Sequence, residues 1–174
     1  KVRVIPIAQQ KEGVLDKAYE LKKILEQNYR VELDDSDNSP GWKFNQWEMK
    51  GVPIRLEIGP RDIENGQAVL ARRDTSEKIT VALDEVGTQA GDLLDAIQKN
   101  LFEKALKMRE EKTSSAENMD EFQEKLAENP GFIKAMWCGD RACEDQIKEQ
   151  TGASLRAVPF DEEQEIIGDG TCVC

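Results

Sequence analysis

Apolar residues alternate or recur at helical spacing through the first part of the chain. Val2–Ile7 alternates and is rich in β-branched residues, which predicts a strand. A helix is predicted over residues 11–27, because apolar residues recur there every three or four positions. These residues are Val14, Ala18, Leu21 and Leu25. Val31–Leu33 indicates a second short strand, and a β-α-β unit of this kind favours two parallel strands joined by a crossover helix.

The middle of the chain predicts a further helix, three more strands and a long closing helix. A helix is expected over residues 42–50, followed by a half-buried strand over Pro53–Ile58 and a turn at Gly59-Pro60. Gln67–Arg72 and Ile79–Leu83 predict a hairpin. A long amphipathic helix then begins near residue 84 or later. Its apolar positions are Leu94, Ile97, Leu101, Ala105 and Met108.

These elements divide the chain into two predicted domains. Residues 1–112 are expected to form an α/β domain, a five-stranded mixed sheet with flanking helices, and residues 113–174 a small α+β domain. A polar stretch without periodicity marks the boundary. Ser114 and Glu117 have the spacing of a capping box at the start of a helix, which Asn129-Pro130-Gly131 should end.

Composition limits the classes of protein that this chain can represent. It has 174 residues, of which 39% are hydrophobic, so a packed core is expected. No apolar run approaches the roughly 20 residues that span a bilayer, and no secretory signal is apparent. We expect a cytoplasmic protein that binds no membrane. Histidine is absent, so a nucleophilic cysteine would lack its usual general base. This argues against a hydrolase that uses Cys138 or Cys143 as its nucleophile.

The negative charge is concentrated in the C-terminal domain. The whole chain carries −11, which argues against a general DNA or RNA binder. From Pro40 to Lys78, however, the net charge is +1, whereas residues 113–174 carry five basic and fourteen acidic residues, a net of −9. Any contact with RNA should therefore lie in the middle of the chain.

All four cysteines lie near the C-terminus. Cys138 and Cys143 form a C-x4-C pair, and Cys172 and Cys174 form a C-x-C pair. Two close pairs separated by a spacer are what tetrahedral thiolate coordination of Zn²⁺ requires, and four thiolates leave no open position for catalysis. A structural zinc site is therefore one interpretation. Disulfides or free thiols are the alternative, although a bridge across one intervening residue is strained.

Aromatic, basic and acidic residues are combined between Gly41 and Asp62. Phe44 and Glu48 are four residues apart and share a face of the predicted helix. Arg55 lies on the next strand, and Arg61-Asp62 follows the turn. An aromatic ring can stack a base, a carboxylate can accept from guanine N1–H and N2–H, and a guanidinium can donate to O6 and N7. The alternative is that the aromatic residues belong to the core and the charges form surface ion pairs.

Longer motifs in the same regions resemble one known family. PGWKFNQWEMKGVPIRLEIGPRDIENG, which begins at Pro40, and ARRD at Ala71–Asp74 are similar to the anticodon-binding domain of prolyl-tRNA synthetases, in the branch typical of archaea, eukaryotes and some bacteria. MWCGDRACED at Met136–Asp145, AVPF at Ala157–Phe160 and the final CVC are similar to the C-terminal zinc domain of that branch. The resemblance implies the class IIa anticodon-binding fold and a structural Zn²⁺ on the four cysteines.

The resemblance also implies roles for individual residues in reading two guanines of the proline anticodon. Phe44 would stack on a base, and Glu48 and Asp62 would accept from the guanine Watson–Crick edges. Arg55 and Arg61 would contact guanine carbonyls or phosphate. The weaker candidates, which would contact the RNA backbone, are Arg72, Arg73 and Lys78. Trp42 and Trp47 are assigned to packing.

For the whole protein, the resemblance implies a proline–tRNA ligase that attaches proline to its tRNA in an ATP-dependent reaction. Its catalytic core, with ATP and Mg²⁺, would precede Lys1, and a short tail would follow Cys174, so this fragment alone would be non-catalytic. Relatives usually dimerise through the catalytic part, so a homodimer is expected. The alternative is a stand-alone synthetase-like accessory protein that binds a protein partner or a regulatory RNA.

Overall fold

The computed structural model describes residues 1–160 and 164–174. The chain divides into two compact units, Lys1–Glu103 and Lys104–Cys174. This division falls inside a long helix, ahead of the polar stretch that marked the boundary in the sequence. The domain limit after residue 112 therefore stays a prediction.

The first unit is built on one five-stranded sheet. Its elements in chain order are β1 (Val2–Pro6), α1 (Val14–Glu26), β2 (Val31–Leu33), α2 (Pro40–Met49), β3 (Ile54–Ile58), α3 (Pro60–Glu64), β4 (Gln67–Arg72), β5 (Lys78–Ala82) and α4 (Val86–Glu111). The strand order is β2-β1-β3-β4-β5, with β1 parallel to β2 and β3, and β4 antiparallel to β3 and β5. The predicted α/β fold with a mixed sheet is confirmed.

The two faces of this sheet differ in chemistry. Residues such as Val4, Leu56 and Leu70 point to one face and are fully buried against α1 and α4. The opposite face carries charged residues, among them Arg3 and Arg55, which are register partners on β1 and β3. Successive residues of a strand point to opposite faces, so the alternation in the sequence produces one apolar and one polar face.

Helix α3 occupies the position where the sequence indicated only a turn. Pro60 stands at its first position, where a missing N–H costs nothing. Asp62 stands two residues further on, and its Oδ2 accepts a hydrogen bond from the Gly59 N–H at 2.8 Å. Five residues are too few for apolar periodicity to show, which explains why the helix was missed.

The second unit contains β6 (Thr113–Ser115), α5 (Met119–Glu128), β7 (Phe132–Lys134) and α6 (Arg141–Thr151), and β6 pairs in parallel with β7. Its small core is made of Ala116, Phe122, Ile147 and Val173. The polar residues of β6 have no alternating apolar pattern, so the sequence did not indicate this strand, which pairs with β7 through its backbone. The α+β character that the sequence indicated for this part of the chain agrees with these elements.

The predicted start of α5 is wrong by one turn. Ser114 lies in β6, and the N-cap is Asn118, whose side chain accepts from the Glu121 N–H at 3.0 Å. Glu121 in turn accepts from the Glu117 N–H at 3.2 Å. Asn caps helices as well as Ser does, so both Ser114 and Asn118 were possible N-caps in the sequence. Ser114 pairs with β7 as part of β6, which leaves Asn118 to cap the helix.

None of the helices that the structure describes combines the length and apolar character that a bilayer span requires.

Candidate functional site: an aromatic and charged cluster and a four-cysteine centre

Local sequence places Phe44 and Glu48 on the sheet side of α2. Ser39 caps the helix by accepting from the Trp42 N–H at 3.4 Å, and Pro40 occupies the first turn. From this start, Phe44 and Glu48 lie one turn apart, so both can face the same neighbouring strand. The helix that the sequence predicted is confirmed, and it begins two residues earlier than expected.

Arg55 on β3 joins both of these side chains. Its guanidinium carbon lies 4.8 Å from the centroid of the Phe44 ring, and Nη1 lies 3.3 Å from Glu48 Oε2. Lys78 Nζ, from β5, lies 5.3 Å from the same ring centroid. One aromatic ring therefore has two cations over it, and one of these cations also pairs with a carboxylate. We call Phe44, Glu48, Arg55, Glu57, Arg73 and Lys78 the Phe44 cluster.

Glu57 is the member of the Phe44 cluster that the sequence argument did not select. It is only 7% exposed, and its carboxylate lies 3.5 Å from Arg55 Nε and 2.7 Å from Lys78 Nζ. Arg55 and Glu57 share a face of β3, so Glu57 lies between the two cations. The alternation of the strand could have identified it, but in the sequence Glu57 looks like half of a surface ion pair.

Arg73 and Arg72 have different surroundings despite being neighbours. Arg73 is exposed, and its Nε donates to the Glu48 carbonyl oxygen at 3.0 Å, which brings it to the Phe44 cluster. Arg72 instead donates to both carboxylate oxygens of Asp74, at 3.0 and 2.8 Å. Asn100 also donates to Asp74, at 2.5 Å. The Arg72 guanidinium, followed by the Asn100 amide, lowers the pKa of Asp74 to about 2.

Arg61 and Asp62 lie beyond the end of β3 opposite to Arg55. Arg61 is exposed, and Asp62 caps α3 as described. Both line a cleft of about 330 Å³, together with Ile7, Ala8, Lys11, Gly59 and Pro60. Of the eight predicted RNA-binding residues, the structure thus connects five in the Phe44 cluster: Arg55 and Lys78 lie over the Phe44 ring, Glu48 pairs with Arg55, and Arg73 donates to the Glu48 backbone. Arg61 and Asp62 lie at the cleft, and Arg72 lies in its pair with Asp74.

The two tryptophans of α2 also differ. Trp47 packs against Arg3, whose guanidinium carbon lies 3.3 Å from the ring centroid, so its assignment to packing is confirmed. Trp42 is 49% exposed, so the assignment to packing is wrong for this residue. The next residue, Lys43, is 2% exposed and takes the inward position of this turn, so Trp42 points away from the buried side of α2.

The four cysteines converge in the second unit. Their Sγ atoms all lie within 4.8 Å of one another. Cys138 follows β7, and Cys143 lies in the first turn of α6, which Asp140 caps. Val173, between the last two cysteines, is buried and donates its N–H to the Met136 carbonyl at 2.9 Å. The small core of this unit therefore brings the two sequence pairs together.

The geometry of these thiols fits a metal better than disulfides. The close Sγ–Sγ distances are 2.9, 3.1 and 3.2 Å, beyond the roughly 2.05 Å of a disulfide. Hydrogen bonding with Cys174 and Cys138 raises the pKa of Cys143. At Cys172, burial opposes ionisation, but hydrogen bonds lower its pKa to about 7. Four crowded soft donors could hold one metal ion, and their protons would leave when it binds.

Three comparisons with known proteins agree on one family. Residues 1–90 match the family model of the anticodon binding domain. The chain belongs to this anticodon-binding domain family. Residues 119–174 match the model of the prolyl-tRNA synthetase C-terminal domain. Among curated relatives, the Proline--tRNA ligase of Clostridium botulinum (strain ATCC 19397 / Type A) is 58% identical over 98% of this chain and 35% of its own length. That of Oceanobacillus iheyensis is 57% identical over the same shares.

A solved structure from this family has the same fold. The prolyl-tRNA synthetase of Cryptosporidium parvum, complexed with halofuginone and AMPPNP, superposes with a TM-score of 0.84 and 33% identity. The match covers 99% of this chain and 37% of that one. The resemblance seen in the sequence is thereby confirmed, and the chain spans about a third of the length of the relatives it matches. Membership of the archaeal and eukaryotic branch stays a prediction.

Proposed function

We propose that the chain is the anticodon-reading C-terminal part of a proline–tRNA ligase, which attaches proline to its tRNA in an ATP-dependent reaction. The observation that carries the proposal is the Phe44 cluster, in which a ring, a carboxylate and two cations meet on the polar face of the sheet. The chain matches about a third of the length of these ligases, so about two thirds of each ligase lies outside the matched region. ATP, Mg²⁺ and the transfer of proline belong to that part of the proposed enzyme.

The chemistry of the cluster suits an unstacked guanine. The Phe44 face can stack the base, which contributes about 1–3 kcal/mol in comparable sites. Glu48 is about half exposed and can accept from guanine N1–H and N2–H while its partner Arg55 donates to O6. Arg73 and Lys78 are exposed and can meet the phosphates on either side of the base.

A second guanine would need further donors and acceptors. Arg61 and Asp62 remain our candidates, since both line the cleft together with Lys11. One Asp62 oxygen caps α3, which leaves the other oxygen to accept from a base. An anticodon loop that splays out two bases could reach both ends of β3, because the strand spans only about 17 Å. Arg72 is a weaker candidate because of its pair with Asp74.

We further propose that Cys138, Cys143, Cys172 and Cys174 hold one structural Zn²⁺. Four thiolates saturate a tetrahedral ion, so the metal would stabilise the second unit without taking part in chemistry. Among the described residues of this unit, the core contains four buried apolar side chains, and a metal can supply the stability that such a small core lacks. A cytoplasmic homodimer, formed through the rest of the enzyme, is part of the same proposal.

The proposal is tested by the affinity of this chain for an RNA hairpin that carries the proline anticodon. Glu48→Gln and Arg55→Met should each weaken binding by about 1–3 kcal/mol. The first replaces one of two accepting oxygens by an NH₂ donor that faces the guanine donors, and the second removes the donors to O6. Glu20→Gln is the matched control, since Glu20 is an exposed carboxylate that pairs with Lys17 on α1. Equal affinity of all four proteins would overturn the proposal.

A further inference from the structure

Helix α2 lies on the sheet without a buried apolar anchor. A surface helix normally buries a stripe of apolar side chains against its sheet. Among the ten residues of α2, Lys43 is the buried one, at 2% exposure, while Phe44 and Trp47 are only partly covered. The position of this helix must therefore be set by polar and cation–ring contacts.

Besides Phe44 and Glu48, which contact Arg55, two further side chains of α2 make such contacts, and both reach Asp34, the residue after β2. Lys43 Nζ donates to the Asp34 carbonyl oxygen at 2.9 Å and to Gln9 Oε1 at 3.1 Å. Trp47 Nε1 donates to Asp34 Oδ2 at 2.5 Å. The indole ring lies against the Arg3 guanidinium, at 3.3 Å from its centroid. A planar guanidinium stacks flat on an indole face, so this contact constrains both the distance and the tilt of the helix.

Arg3 is an unusual residue for this place in a strand. It is 4% exposed, and burial lowers its pKa despite the neighbouring Glu32, to which Nη2 donates. Its buried Nε has no hydrogen-bond partner within residues 1–160 and 164–174. An apolar side chain would avoid this desolvation, so the stability of the fold does not account for the charge. What the charge adds is a flat cation under Trp47.

The place of Trp47 on α2 connects this stack to the Phe44 cluster. Trp47 lies three residues after Phe44 and one residue before Glu48, so a shift of the indole moves both side chains. Arg3 is the register partner of Arg55, which puts the support and the cluster on neighbouring strands of the same face. We propose that Arg3 is a positioning residue for base reading, and that its stack with Trp47 holds Phe44 and Glu48 at Arg55. The inference rests on the proposed function.

The experiment compares two hairpins, one with the proline anticodon and one in which a single anticodon guanine is replaced by inosine. Inosine lacks the exocyclic amine of guanine, so the affinity ratio measures how well a carboxylate meets the base edge. Arg3→Met should lower the ratio by about fivefold or more, since a misplaced carboxylate loses its directional contact. Each anticodon guanine is replaced by inosine in turn. The guanine-to-inosine affinity ratio is then compared at the anticodon position where the unmodified chain shows the larger ratio.

A control separates positioning from stability. Val4 is the next residue of the same strand, but it faces the opposite, apolar side of the sheet and is fully buried there. The control variant is Val4→Ala. It should lower the melting temperature and leave the ratio unchanged. The inference is overturned if Arg3→Met keeps the wild-type ratio, or if Val4→Ala lowers it as much. If the unmodified chain itself fails to discriminate at both positions, the proposed function fails instead.

Discussion

Glu57 accepts a hydrogen bond from Lys78 Nζ at 2.7 Å across β4, which lies between their two strands. The same carboxylate lies 3.5 Å from Arg55 Nε. A buried carboxylate therefore holds the two cations that stand over the Phe44 ring.

The first prediction concerns this carboxylate. Glu57→Gln should destabilise the chain by about 1–2 kcal/mol, because a neutral amide replaces two charge-assisted contacts in a buried position. It should also weaken discrimination between guanine and inosine in the hairpin, since the cations lose their common partner. Urea denaturation measures the first effect and RNA titration the second. A Glu57→Gln protein with wild-type stability would show that the carboxylate does not hold the cations.

The second prediction separates two adjacent arginines by salt dependence. Arg73→Ala should reduce the slope of log affinity against log salt by about 0.7, the value for one lost phosphate contact on a single strand. Arg72→Ala should leave the slope unchanged, because Asp74 already engages its guanidinium at 2.8 Å. Titration of the hairpin at several salt concentrations makes the comparison. Equal changes in slope would contradict the assignment.

The third prediction is a pH dependence that arises from Asp74. Its pKa is about 2 in the folded chain and 3.8 in the reference state, so the unfolded state takes up the proton first as pH falls. The contribution is therefore complete above about pH 5 and is lost between about pH 4 and 2. Asp74→Asn should cost about 1–2 kcal/mol at pH 7 after allowance for solvent screening, and much less near pH 2. Denaturation of the wild-type and Asp74→Asn proteins between about pH 2 and pH 7 measures the difference in their free energies of unfolding. A difference that stays constant with pH would refute the prediction.

The fourth prediction concerns the four cysteines. Purified, reduced protein should contain about one zinc ion per chain, and Cys172→Ser should lower this content because it removes one thiolate. A chelator should unfold the second unit, which is detectable as lost protection of the amides of α6 from hydrogen exchange. The first unit carries none of the cysteines, so the amides of β1 and β3 should keep their protection. A metal-free protein with four reduced thiols and an intact α6 would exclude the site.

The sequence alone determined the architecture of the first unit. Apolar residues with period two and with helical spacing predicted its five strands, α1 and the long α4, because burial of one face imposes these periods. Helix α2 was also predicted, although it carries no buried apolar stripe. It also supplied the chemistry of the site, in the ring of Phe44, the carboxylate of Glu48 and the spacing of the four cysteines. These features depend on residue type and local spacing, which a sequence states directly.

Only the tertiary structure decided which of these groups meet. Glu57 and Lys78 lie 21 positions apart and join across β4, whereas Arg72 turns to Asp74, and Arg61 with Asp62 lies at the other end of β3. The small elements α3 and β6 were also decided at this level, since they are too short to carry a period. Distances between side chains follow from sheet register and helix placement, which many weak contacts set together, and no local pattern of residues encodes them.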